Sequence, residues 1–494
     1  MEILFLTLYF GVLIGLSLHG LHIPWLIFHR LRCPKIPEPL PADRNDSDLP
    51  FVTIQLPLYN ERAVLSRLLT SITGLHYAKD RMEIQVLDDS TDETAKLARN
   101  LVKSYRDKGF RIDWVHRTNR EGYKAGALRE GLQTAGGELI ALFDADFVPE
   151  PDFLLRVVPC FRDPAIGMVQ TRWGHLNEED SFLTRLQALF LDGHFAMESE
   201  TRDRAGLFLN FNGTAGVWRR SCIEEAGGWQ ADTLTEDLDL SYRAQLAGWK
   251  FRFLAGCVAP AELPEEVNAF KSQQYRWTRG AVETLRKLGG RYLRSDVPLK
   301  VKTEFFFHLT SHLVFPALVL LSLCAYPALA IRLESSVWKL VLIDLPLYLI
   351  GIFSVNIFYL WGQLTLYPND YRRLIRIPGL MFLGTGLAVS NSLAVWHGYF
   401  SRNGEFVRTP KRGPQGETLY KSEKSKSLWL ELLLAGYLFC CIIHAAFAGL
   451  WASIPFLLVF ALGFGGMGLL SLREQFCIPL LGCVQSEPVQ NQGS

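Results

Sequence analysis

Three groups of residues combine types and spacing suited to chemistry. Asp144 and Asp146 stand two positions apart in "FDADF", a spacing that puts two carboxylates on one side of an extended chain. There they can hold a hard divalent cation, Mg2+ or Mn2+, through oxygen and leave coordination positions for diphosphate oxygens and water. Glu236, Asp237 and Asp239 crowd the start of "TEDLDLSYRAQLAGW". A helix N-terminus welcomes acid through its macrodipole and unpaired N–H groups, so this cluster taken alone has a purely structural explanation. "QQYRWTRG", residues 273–280, sets amides before Arg276 and Trp277. The arginine fork suits phosphate oxygens, and the indole offers a flat face for the apolar side of a pyranose.

Such groups act together only if the backbone collects them. "FVTIQLPLYNE" (51–61), "MEIQVLDDSTDE" (82–93) and "ELIALFDADFVPE" (138–150) are apolar runs that end in acid, which predicts buried parallel strands with polar C-terminal ends. "RAVLSRLLTSITGL" and "TAKLARNLVKSYRDKG" between them read as helices, the second introduced by Ser90 and Glu93 at capping-box spacing. The alternation predicts an open α/β sheet whose ligands sit beyond the carboxyl ends of the strands. Glu61, Asp88, Asp89, Asp144 and Asp146 all fall there. The first strand-to-helix turn, "LPLYNERA", has no glycine fingerprint and no Walker pattern occurs, which argues against dinucleotide-dependent oxidoreductases and P-loop enzymes.

Of the 494 residues, 49% are hydrophobic, and they are placed unevenly. The first thirty contain "ILFLTLYFGVLIGLSLHGLHIPWLIF", long enough to cross a bilayer, followed by Arg30, Arg32 and Lys35. No small-residue cleavage site follows, which favours a retained helix over a signal peptide. The chain is mixed and charged from about Phe51 to Gly290, and apolar runs return beyond Phe305. A formal charge of +1 and the absence of a basic stripe give no reason to expect nucleic acid. The nine cysteines are scattered without metal-like spacing, which indicates neither a zinc site nor a disulfide scaffold.

"VLDDSTD", "NREGYKAGAL", "FDADF", "FNGTAG", "TEDLDL" and "QQYRW" follow one another in this order. The chain thereby resembles the processive family 2 glycosyltransferases, and among them the cellulose synthase-like A and C proteins of mannan and glucan synthesis and their bacterial relatives. The resemblance implies a GT-A α/β domain, inserted between transmembrane helices on the cytosolic face of a multi-pass membrane protein. The membrane would be the plasma or inner membrane, or the Golgi in a eukaryote. It further implies inverting transfer of a hexose from UDP-glucose or GDP-mannose to a β-linked polysaccharide that is also exported. The related ceramide and diacylglycerol glucosyltransferases leave a second reading, transfer of one sugar to a lipid acceptor.

Carried over residue by residue, the resemblance makes Asp237 the catalytic base and Asp144 with Asp146 the metal-binding pair. Asp88, Asp89, Lys124, Arg276 and Glu61 would meet the nucleotide sugar. Trp277, Gln273, Asn212, Gly213 and Thr214 would meet the acceptor. One carboxylate base with no enzyme nucleophile suffices for inversion.

Apolar runs at 305–330, 337–362, 428–448 and 450–472 join the first in predicting five spanning helices. Basic residues flank 378–400 on both sides and Ser390, Asn391 and Ser392 interrupt it, so this stretch is expected at the membrane surface, with six spans the alternative. The expected division is a helix at 1–32, a catalytic domain at 50–262, interfacial helices at 263–300, a membrane region at 301–475 and a polar tail at 476–494. Within the membrane region lie the interfacial segment 371–400 and a basic loop at 401–426. In that loop "GEFVRTPKRG" resembles the gating loop of cellulose synthases, which makes Phe406, Arg408, Thr409 and Lys411 candidates for closing over a bound donor. No feature of the sequence names an oligomeric state or an accessory subunit.

Overall fold

The computed structural model describes residues 2–43, 48–332, 340–401, 409, 411–413 and 424–476. The three predicted strands are β1 (Val52–Leu58), β2 (Met82–Asp88) and β4 (Leu139–Leu142), with β3 (Ile112–His116) between the latter two in sequence. With β5 (Ile166–His175), β6 (Gly216–Arg219) and β7 (Lys250–Ala261) they form one seven-stranded sheet in the order β3-β2-β1-β4-β6-β5-β7. Strands β1 to β4 run parallel, whereas β6 is antiparallel to both β4 and β5, so the sheet is mixed. β1 is buried at nearly every position, as a central strand covered on both faces must be.

Two details of the sheet domain differ from the sequence reading. β4 ends at Leu142, so Asp144 and Asp146 stand in the turn beyond the strand rather than on its pleat. The turn is held by the Phe143 N–H on the Gln55 carbonyl and the Asp144 N–H on the Thr214 hydroxyl. The helix Glu93–Asp107 is capped by Asp92, whose carboxylate accepts from the Thr94 N–H at 2.9 Å. Ser90 is drawn away from any capping box because its hydroxyl accepts from the Asn60 N–H at 2.8 Å, tying the turns after β1 and β2 together.

Each face of the sheet has its own core. One packs Val52, Ile54, Val86 and Phe143 against Leu65, Leu68 and Leu69 of the helix Arg62–Thr73. The other packs Ile140, Leu142 and Met168 against Leu128, Trp218 and Trp229. Both tryptophans are no more than 1% exposed. Truncating either to alanine would cost about 3–5 kcal/mol.

Among the described residues six helices are long and apolar enough to cross a membrane: Glu2–Arg32, Leu299–Ile331, Leu342–Leu366, Tyr371–Phe400, Leu428–Phe447 and Trp451–Phe476. The stretch 378–400 is not interrupted at Ser390–Ser392, because Ile377–Phe400 is one unbroken α-helix. Ser392 returns its hydroxyl to the Ala388 carbonyl, and Asn391 is fully buried. Of its most apolar window 61% is buried inside the protein, against 17–44% for the other five helices. Gly386 lies so near the helix Ile454–Phe476 that a Cβ would come 2.2 Å from Met467 Cγ. The same helix packs Leu380 and Leu383 against Leu186 and Phe270, on the side of the sheet domain.

Candidate active site

The carboxyl ends of β1, β2, β5 and β7 and the turn after β4 surround a cavity of about 230 Å³. Asp89, Lys124, Asp144, Asp146, Glu61, Asp237, Glu236, Asn212, Gly213, Gln273, Arg276, Trp277, Thr409 and Lys411 all line it. Asp88 and Thr214 do not line it. Asp88 is 0% exposed, and its carboxylate accepts from the Ser90 N–H at 2.9 Å, the Trp114 indole N–H at 2.9 Å and His116 Nδ1 at 3.2 Å. It therefore organises the strand ends and does not face a ligand. Phe406 and Arg408 lie outside the described residues.

Three acids at the sheet edge, Asp89, Asp144 and Asp146, are each matched by a cation. Asp89 takes a bidentate contact from Arg117 at 2.7 and 2.5 Å. Lys124, in the first turn of the helix Tyr123–Thr134, donates to Asp144 at 2.5 Å and to the Gly213 carbonyl at 2.8 Å. Burial would lower the Lys124 pKa, but Asp144, Glu236 and Asp237 outweigh it and raise it above the ordinary lysine value. Asp146 accepts from Lys411 at 2.7 Å and from the Glu262 N–H at 3.2 Å.

The second acid group lies at the start of the helix Glu236–Leu246, and its three members have different fates. Asp239 turns into the core, fully buried against Arg243 at 2.7 Å and Lys287 at 2.9 Å. Glu236 and Asp237 instead line the cavity. Desolvation, and then the neighbouring Glu236 charge, push the Asp237 carboxyl up to about 7 against the pull of the Leu238 N–H and Lys124. Glu236 is raised as well, chiefly by desolvation. A carboxyl titrating near neutrality beside a cavity has the proton affinity of a general base. Gly213 is held at φ 82°, and a Cβ there would stand 2.9 Å from Asp237 Oδ2, so the loop "FNGTAG" approaches the acid as only glycine permits.

The long helix Val267–Arg294 carries "QQYRW" to the opposite wall. Burial lowers Arg276 to about 10, and its guanidinium donates to the Thr409 hydroxyl at 2.8 Å. Trp277 and Trp173 stand with ring centres 6.4 Å apart, forming an aromatic corner. Lys411 reaches the Glu262 carbonyl at 3.0 Å as well as Asp146, while the N–H groups of Arg412 and Gly413 donate to the Glu262 carboxylate. Arg67 pairs with that carboxylate at 2.7 Å.

The sequence reading missed Trp173, His175, Glu262 and Arg117. A register shift between Thr171 and Arg172 in the β5–β7 ladder precedes Trp173 and His175, which line the cavity. Shifts of this kind re-aim side chains beside active sites and leave no mark in the sequence. Glu262 does carry a signal, an acid directly after the β7 run, the same pattern that marked β1, β2 and β4.

Residues 50–280 match the family model described as "Glycosyltransferase like family 2". Glucomannan 4-beta-mannosyltransferase 7 of Arabidopsis thaliana is 35% identical over 442 residues, 85% of this chain and 77% of that protein. The chain belongs to glycosyltransferase family 2. Glucomannan 4-beta-mannosyltransferase 1 of Oryza sativa subsp. japonica is 44% identical to this glycosyltransferase over 264 residues, 52% of this chain. The match spans only 50% of that rice protein and 54–64% of two further rice relatives. Among solved structures, a mannosyltransferase from Pyrobaculum calidifontis in complex with GDP-Man and Mn2+ superposes with a TM-score of 0.53 and 22% identity. It covers 74% of this glycosyltransferase and 100% of that chain, which shows the GT-A fold.

The residues at the sheet edge fit a divalent cation. Among the described residues no group of three or more His, Cys, Asp or Glu could enclose one. Asp144 and Asp146 nevertheless present hard oxygen donors on which two ammonium groups, Lys124 and Lys411, already rest. A pair that attracts this much positive charge is suited to a cation whose remaining ligands come from a diphosphate.

Proposed function

We propose that this membrane glycosyltransferase transfers mannose from GDP-mannose to a growing β-linked mannan, with inversion, its catalytic domain on the cytosolic face. One observation carries the chemistry: the cation-matched pair Asp144 and Asp146 shares a cavity with Asp237, whose carboxyl is raised to about 7. The choice of mannose rests on relatives named as glucomannan mannosyltransferases.

In the proposed reaction Asp237 takes the proton of the acceptor hydroxyl as its oxygen bonds to the anomeric carbon. The bond from that carbon to the diphosphate breaks, and GDP leaves with the electron pair. A single displacement inverts the centre. A divalent cation held by Asp144 and Asp146 would offset charge on the leaving diphosphate. Lys124 and Arg276 add fixed positive charge nearby, while Asp89 and Glu61 face the nucleoside part of the donor. Trp277 would carry the sugar face of the acceptor, with Gln273, Asn212 and Gly213 supplying polar and close backbone contacts. Thr214 acts through the Asp144 N–H that it accepts.

The segment at Thr409 and Lys411 would act as a gate that closes over the donor and excludes water. Nucleotide should then slow hydrogen exchange around Thr409–Gly413; equal exchange with and without it would make the loop a static wall.

The activity is tested with the purified full chain in detergent, supplied with radiolabelled GDP-mannose or UDP-glucose and Mg2+ or Mn2+. A β-mannanase-sensitive polymer formed from GDP-mannose, and lost in excess chelator, is the expected result. Label confined to an organic-extractable lipid, or no transfer from either donor, would overturn the reading.

A further inference from the structure

We infer that Arg120 reads the nucleobase of the donor and selects guanine over uracil. The inference rests on the reading of the cavity as a nucleotide-sugar site and adds the residue that sets its base preference.

Tyr59, Asp89 and Arg120 line one part of the cavity wall, where the turns after β1, β2 and β3 meet. The guanidinium carbon of Arg120 stands 3.4 Å from the centre of the Tyr59 ring, the thickness of a stacked aromatic layer, and 4.9 Å from that of Tyr123. The backbone around this shelf is unusual. Among the described residues four non-glycine residues have positive φ, and three of them belong here: Asn60 at 54°, Arg120 at 44° and Tyr123 at 50°. A bulky side chain in that region is strained and persists only where the surroundings over-determine it.

The surroundings do so. Arg117, locked onto Asp89, also donates to the carbonyls of Glu121 at 3.0 Å and Tyr123 at 2.9 Å, so the loop that carries Arg120 is tied at both ends. Gly126 closes the arrangement from below, since a Cβ there would come 1.9 Å from the Glu121 carbonyl oxygen. On the other side Asn60 is fixed by Ser90 and by the Thr91 N–H, which holds Tyr59 in place. Strain maintained by this many contacts presents one guanidinium over one aromatic ring at the edge of the cavity.

A flat ring faced by a flat cation forms a slot for a base. A base stacked on Tyr59 displaces the guanidinium to its edge, where five fixed donors meet whatever acceptors the edge offers. Guanine presents O6 and N7 side by side, the bidentate match for arginine. Uracil presents O4 beside a C–H and accepts only one of the two bonds. The discrimination expected from one bidentate pair is about tenfold or more.

The test is equilibrium binding of GDP, UDP and 7-deaza-GDP to the purified full chain and to Arg120→Ala and Arg120→Lys. GDP should bind the parent about tenfold or more tightly than UDP, and 7-deaza-GDP, which lacks the N7 acceptor, should lose most of that advantage. Arg120→Ala should weaken GDP about tenfold or more beyond its effect on UDP, bringing the two affinities together, and no longer distinguish 7-deaza-GDP from GDP. Retained UDP binding shows that the variant site is folded. Arg120→Lys keeps the charge without the fork and should not restore the preference. Equal affinity for GDP and UDP, equal weakening of both by Arg120→Ala, or full affinity for 7-deaza-GDP would each overturn the assignment while leaving the nucleotide site intact. No binding of any of the three nucleotides would overturn the nucleotide-sugar reading itself and the Arg120 assignment with it.

Discussion

Two acid pairs share one cavity and are treated in opposite ways. Asp144 and Asp146, in the turn after β4, each rest against a lysine ammonium. Glu236 and Asp237, at a helix start, have no such contact among the described residues, and desolvation raises both. The same side-chain chemistry is thus divided by environment into a site that holds positive charge and a site that holds a proton. A helix N-terminus would ordinarily depress these acids, so their elevation shows burial, with the Glu236 charge acting on Asp237 and the Asp144 charge on Glu236, prevailing over the macrodipole.

The strongest way to break this division is Asp237→Asn, which preserves size and removes the proton acceptor. Turnover should fall by about 10²–10⁴-fold with nucleotide affinity nearly unchanged. Equal losses in both, measured by steady-state rates and equilibrium binding, would place Asp237 with the donor-binding acids. Asp146→Ala should do the opposite, weakening metal-dependent nucleotide binding by a factor on the order of 10² while freeing Lys411 and the Glu262 N–H. Metal titrations at fixed GDP check this, and an unchanged metal dependence would remove Asp146 from the cation site.

Trp277→Ala should have a smaller effect, about tenfold on acceptor use with donor affinity retained. An unchanged chain-length distribution at limiting acceptor would separate Trp277 from the sugar path. The finest test is Glu236→Gln. As the proposed base Asp237 would act unprotonated, so kcat/KM should rise with pH through about 7 and then level off. Removing the adjacent negative charge makes ionisation easier, and the rising limb should move to lower pH. A limb that stays in place would leave desolvation alone as the cause.

Much of this division was legible in the sequence because it was written in local signals. Apolar runs ending in acid marked β1, β2 and β4, and the ordered motifs pointed to Asp144, Asp146 and Asp237. Other features were not local. Nothing in "TEDLDL" says that Asp239 turns inward to Arg243 and Lys287, since that choice depends on side chains from elsewhere in the fold. Asp88 and Asp89 are adjacent in sequence, yet only Asp89 lines the cavity, because Trp114 and His116 of β3 and the Ser90 N–H turn the Asp88 carboxylate inward. The serines and asparagine of 390–392 read as an interruption because their polarity was weighed without the neighbours that bury Asn391. The pairing of Lys411 with Asp146 spans 265 positions and leaves no periodic trace.

The enclosed helix Ile377–Phe400 has a consequence for how the molecule is made. It belongs to the least apolar of the six candidate spans, the one most buried by protein. One of its supports, the helix Ile454–Phe476, lies later in the chain, and the close seat of Gly386 against Met467 and Gly463 exists only once that helix has emerged. During synthesis Ile377–Phe400 therefore precedes part of the surface it packs against. Chains halted before residue 454 would leave the surface around Gly386 without the Met467 and Gly463 that cover it.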